Sequence, residues 1–121
     1  MIKLWRKITG TTGSGKSSSV TGKEWIAVYL KLSGGEYGSG VEQDEIRSFA
    51  RELDDEIRKH DVGTFDGDEF GNHEAGLFMY GPDADRLFET IEPLLRAWGP
   101  LKGGHAIKRY GAPSRSERIQ F

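Results

Sequence analysis

Residues 73–98, HEAGLFMYGPDADRLFETIEPLLRAW, constrain the fold more than any other stretch. An apolar run (Leu77, Phe78, Met79, Tyr80) reads as a strand and stops at Gly81-Pro82. Beyond it, Leu87, Phe88, Ile91, Leu94, Leu95 and Trp98 recur at steps of about three and four, which is the spacing of one helix face. Pro82 suits a first helical turn, and Asp83 and Asp85 suit the positive end of a helix dipole. Pro93 removes one backbone donor inside that helix and predicts a bend there. The stretch is therefore a strand, a tight turn and a helix. It leaves open whether Leu77/Met79 or Phe78/Tyr80 faces the helix.

The rest of the chain supplies elements of the same kind. Residues 24–32, EWIAVYLKL, alternate as a strand, with Ile26, Val28, Leu30 and Leu32 on one face and Trp25, Ala27 and Tyr29 on the other. Residues 33–40 form a loop with four glycines. From Val41 or Glu42 to His60, Ile46, Phe49, Ala50, Leu53 and Ile57 mark a helix with one narrow apolar stripe. Residues 62–66 and 73–80 form a hairpin around Gly67, Gly71 and Asn72, and residues 105–110 form a last strand. At the start, residues 1–9 alternate as a short strand and lead into a Gly/Ser-rich loop. Residues 111–121 read as a polar tail with little to bury.

From residue 24 the order is strand, helix, strand, strand, helix, strand. That order predicts a single α+β domain over residues 1–121 of ferredoxin-like βαββαβ architecture. Its antiparallel sheet would carry both helices on one face, with the N-terminal strand as an addition. The second face would be open and would carry Trp25, Tyr29, Tyr80 and Tyr110.

Charge is unevenly distributed under a net −2. Residues 41–100 hold sixteen acids against six Lys/Arg, whereas residues 1–40 hold two against six and residues 101–121 one against five. The chain has no cysteine, so disulfides and thiolate metal sites are excluded. No apolar run reaches signal-peptide or membrane-span length, which makes a cytoplasmic protein the expectation.

Motifs that carry chemistry are weak here. Gly10, four residues, Gly15, Lys16 and Ser17 match the phosphate-loop pattern. However, Lys16 is followed by three serines, Val20, Thr21 and Gly22, which are poor helix formers, and the strand before it carries Lys3, Arg6 and Lys7. Asp66-Gly67-Asp68 begins like a calcium loop, but Phe70 and Leu77 occupy positions that need ligands. His60, His73 and His105 have no ligand spacing, and no serine sits in a nucleophile motif. No cofactor or metal follows from these residues.

Residues 63–96, and especially LFMYGPDADRLFETIEPLLR over residues 77–96, resemble small uncharacterised bacterial proteins of ferredoxin-like type, and some proteins of that size and architecture are immunity proteins that block a toxin. The resemblance implies no catalytic residues. The expected function is a non-catalytic protein-binding domain, an immunity or inhibitor protein that neutralises a basic partner such as a nuclease toxin. Its expected surface is Asp44, Glu45, Glu52, Asp54, Asp55, Glu56, Asp66, Asp68 and Glu69. One alternative is a nucleic-acid-binding module on the open aromatic face, which the modest pI of 5.9 disfavours. A second is a nucleotide binder using Gly15, Lys16 and Ser17. The open face is also a candidate homodimer contact.

Overall fold

The computed structural model describes residues 23–111 and 115–121. The expected N-terminal strand, the Gly/Ser-rich loop and the Gly15, Lys16, Ser17 motif lie outside those residues. The described elements are β1 (Glu24–Lys31), α1 (Gly40–His60), β2 (Thr64–Gly71), β3 (Glu74–Gly81), α2 (Ala84–Ala97), a 3₁₀ turn (Gly99–Leu101), β4 (His105–Tyr110) and β5 (Arg115–Gln120). The strands form one antiparallel sheet in the order β2-β3-β1-β4-β5.

Register decides which side chains share a face. Ile26 pairs with Met79 and Lys108, Val28 with Leu77 and Ala106, and Leu30 with Ala75. These apolar residues join Ile46, Phe49, Leu53 and Ile57 of α1 and Leu87, Phe88, Ile91 and Leu95 of α2 in one core. Both helices therefore cover the same face, and Leu77 and Met79 point towards them. Phe78 and Tyr80 fall on the opposite face with Trp25 and Tyr29.

Local chemistry sets the element ends. Ser39 caps α1 by accepting the Glu42 N–H, and Glu42 reaches back to Ser39, a full capping box. Asp61, at φ 52°, closes the same helix in the left-handed conformation. Asp83 caps α2 by accepting from the N–H groups of Asp85 and Arg86. Helix α2 runs unbroken through Pro93, which lies on its exposed side. The Glu24 carboxylate accepts the Ala84 N–H at 2.9 Å and the Gly111 N–H at 3.0 Å, tying the start of β1 to the start of α2 and the end of β4.

The C-terminal residues differ from the expected tail. Arg115–Gln120 form β5, an edge strand paired along β4. Their polar sequence hides a strand because only Ile119 packs on the core, while Glu117 faces a charge, Lys108, rather than an apolar neighbour. Among the described residues, the fifth strand is thus C-terminal. The Phe121 N–H donates to Gly104 O at 3.0 Å, so the odd-numbered residues of β5 turn their backbone groups towards β4. Those of Ser116, Arg118 and Gln120 point to the outer edge. The other edge, β2, carries a bulge between Phe65 and Gly67.

Candidate functional site

Three groups of side chains need to be weighed. The first is the acidic set. Asp44, Glu45, Glu52 and Asp55 are exposed along α1. Asp54 and Glu56 are engaged within the helix, with Arg58 at 3.1 Å and His60 at 3.0 Å. The hairpin acids do not extend this surface as one patch. Asp68 pairs with Leu77 and lies on the helix side, 3.9 Å from Arg47 of α1, whereas Glu69 pairs with Gly76 and lies on the other face. Asp66 sits in the bulge, where burial pushes its carboxyl up against the opposing pull of Lys23.

Sheet order then converts the charge pattern of the chain into a spatial one. Helix α1 packs over β2, and residues 40–74 carry twelve acids against four Lys/Arg. Strands β4 and β5, at the opposite edge, carry Lys108, Arg109, Arg115 and Arg118 against Glu117. Among the described residues, the α1–β2 edge is acidic and the β4–β5 strands carry net positive charge.

The second group is the sheet face that carries no helix among the described residues. Trp25 and Tyr80 stand opposite each other with ring centroids 4.9 Å apart, and Lys23 lies 4.4 Å over the Tyr80 ring. Tyr29 meets Phe78 edge-on at 6.0 Å and stacks on His105 at 5.2 Å. Gly76 makes the room: a Cβ there would lie 2.6 Å from the Phe78 ring. Phe78 is only 3% exposed, and Trp25, Tyr29 and Tyr80 are half-buried. Burial lowers the pKa of His105, and Arg118 lowers it further.

Tyr110 corrects the expectation that it belongs to that face. It alternates with Ala106 and Lys108, so it points to the helix side. There its hydroxyl hydrogen-bonds the Asp85 carboxylate and lies 3.1 Å from Glu117. Lys108 Nζ donates to Asp85 at 2.8 Å, 5.0 Å above the Phe88 ring, and Arg115 covers the Tyr110 ring at 3.8 Å. Burial acts to lower the Lys108 pKa, but the bonds to Asp85 and Tyr110 outweigh it and hold the ammonium charged well above the usual lysine range. Asp85 is held low, first by its hydrogen bond from Lys108. A lysine locked in its charged form neither attacks nor accepts a proton. This network fastens β4 and β5 to α2.

The third group was not visible as a site in sequence. Tyr37 and Val41 are the exposed large apolar residues among the described ones, at 58% and 70%. They lie at the end of the sheet where loop 33–39, the β2–β3 turn and the start of α1 meet. The loop is held hard. Glu42 accepts from the N–H groups of Ser33 (2.8 Å), Gly34 (2.9 Å) and Ser39 (3.3 Å), and those bonds, Ser33 first, keep its carboxyl below the usual range. The carbonyl of Glu36 takes the His73 N–H at 2.9 Å, and that of Tyr37 takes the Gln43 side chain at 2.8 Å. Asn72 and His73, at φ 54° and 63°, form the turn that supplies this donor. The Ser39-x-x-Glu42 spacing is the sequence signal that marks such order.

No three His, Asp or Glu among the described residues are grouped to hold a metal. No described helix is long and apolar enough to cross a membrane. The chain matches no protein-family model, curated protein or solved structure.

Proposed function

We propose that this chain is a non-catalytic protein-binding domain whose acidic edge engages a basic partner. The observation that carries this reading is the charge separation across the sheet, with α1 and β2 at one edge and β4 and β5 at the other. Opposed fields of this kind steer and orient a charged partner during encounter. The strand order β2-β3-β1-β4, with both helices on one face, supports a ferredoxin-like assignment with β5 as the addition. Within that reading, a cytoplasmic bacterial immunity or inhibitor protein acting on a nuclease-like toxin fits the charge. Glu52 and Asp55 sit exposed on α1 and form the centre of the proposed surface. The test is crosslinking and capture of a basic protein by the native chain and by Glu52→Lys/Asp55→Lys. Charge reversal should abolish capture, and about 500 mM salt should weaken it strongly. Capture that is indifferent to both would sink the proposal.

One observation favours a second reading. Trp25/Tyr80 and Tyr29/His105 place rings together on the face that carries no helix among the described residues, beside Arg109 and Arg118. Rings on a sheet face are how single-stranded RNA is stacked. Fluorescence anisotropy with labelled oligouridine at low salt tests this, and an unchanged signal would reject it.

A further inference from the structure

One end of the molecule carries two unlike features side by side. Lys31 pairs with Glu74 and Tyr29 with His105, so loop 33–39, the Asn72-His73 turn, the start of α1, the end of α2 and the start of β4 all meet there. Phe121 joins them through its bonds to Gly103 and Gly104. On the β2 side of this pole stands the apolar knob of Tyr37 and Val41, with the exposed acids Glu36, Asp44 and Glu45 around it. On the β5 side lies a cleft of about 180 Å³ between Trp98 and Phe121, with Leu95 in its lining. Lys102 supplies a cation unpaired among the described residues, beside Arg96, which is paired with Glu92 at 2.8 Å. Arg96 covers the Phe121 ring at 5.0 Å, and the indole of Trp98 is fixed from behind by stacking on Phe49 at 4.1 Å.

We infer that two copies of this chain pair pole to pole, the Tyr37 knob of each seated in the Trp98/Phe121 cleft of the other. The halves match in chemistry: an aromatic ring with an acidic rim meets aromatic walls with a basic rim. They match in symmetry as well. Knob and cleft lie at opposite sides of one surface, so a two-fold axis in that surface, across the line joining them, brings each knob onto the partner's cleft. Both contacts form at once and the assembly closes as a dimer. The knob is also pre-ordered. The carbonyls of Glu36 and Tyr37 are both bonded and Glu42 holds the loop, so little backbone freedom is lost on docking. Glu36 and Lys102 make no ion pair among the described residues, which leaves each available to the other across the axis. This inference goes beyond the acidic-edge reading and does not depend on it, because Glu52 and Asp55 lie further down α1, away from the pole.

Sedimentation equilibrium of the full chain tests it. The native protein should show a monomer–dimer equilibrium that weakens several-fold between about 50 and about 500 mM salt. Tyr37→Ala should raise the dissociation constant by about tenfold or more, as loss of a central aromatic anchor does. Glu36→Lys and Lys102→Glu should each dissociate the dimer, and Glu36→Lys/Lys102→Glu should restore it. All three positions are exposed, and circular dichroism confirms that the variants stay folded. A native chain that stays monomeric at about 200 µM, well above common dimer constants, would overturn the inference. So would a dimer unmoved by Tyr37→Ala, or a double reversal that fails to restore association.

Discussion

Lys108 and Asp85 meet at 2.8 Å across the join between β4 and α2, with the lysine side chain 11% exposed and the aspartate 57%. The asymmetry matters for what each substitution does. Asp85→Asn leaves a buried ammonium with poorer partners, and should cost about 1–3 kcal/mol. Lys108→Met keeps the packing on Phe88 and releases an acid that water already reaches, so it should cost less, about 1 kcal/mol. Urea unfolding at neutral pH ranks the two.

The same pair sets part of the acid response. Asp85 has a folded pKa below its ordinary value, so its contribution is complete above the ordinary carboxylate range and fades as pH falls through the folded value. Lys108→Met removes the first cause of that depression. The stability gap between native chain and variant should therefore narrow as denaturation is repeated from pH 7 towards pH 3. A gap constant with pH would show that the pair does not contribute through ionisation.

Glu42 makes loop 33–39 a pH-sensitive element as well. Its carboxyl is lowered by the Ser33 N–H first, so the loop bonds weaken as pH drops through the folded value. Glu42→Ala should lower the thermal midpoint through loss of the capping box and the loop bonds. Hydrogen exchange should show the amides of Ser33, Gly34 and Ser39 losing protection, while those of β1 keep theirs.

His73 holds φ 63° at the second position of its turn, a place glycine takes without steric cost. His73→Gly should stabilise the chain by about 0.5 kcal/mol net of the extra freedom of the unfolded glycine, and His73→Val should destabilise it by about 1–2 kcal/mol. Thermal unfolding of both variants gives the sign directly.

Phe49 and Trp98 stack nearly parallel, 7° apart, where α1 meets the end of α2. A double-mutant cycle with Phe49→Leu and Trp98→Leu should give a coupling of about 0.5–1.5 kcal/mol beyond the separate costs. Additive losses would mean the two rings contribute only by burial.

Much of the architecture was legible because strong periods coincide with real burial. The stripe Ile46, Phe49, Ala50, Leu53, Ile57 is the buried set of α1, and the alternation from Ile26 to Leu30 is the buried face of β1. The helix through Pro93 was legible too, as one element with the proline inside it. The failures share one cause, polar residues whose partner is another polar residue. Lys108 and Glu117 satisfy each other across β4 and β5, so β5 lacks the apolar alternation that marks a strand and Tyr110 is drawn to the helix side. Local pattern cannot show such pairing, because the partners lie on different strands. The order of loop 33–39 was hidden similarly. Its glycines suggest slackness, while Glu42, beyond the loop in sequence, supplies the bonds that hold it.

The outward backbone groups of β5 belong to Ser116, Arg118 and Gln120, so a second β5 could add antiparallel only in registers that pair like parity. The two most complete of these set Glu117 opposite Glu117 or Arg118 opposite Arg118, and like charges directly across a ladder repel. The strand that ends the sheet among the described residues thus discourages its own copying. Open-ended fibre growth is opposed at this edge by electrostatics and at β2 by the shape of the bulge, two separate safeguards against templated assembly.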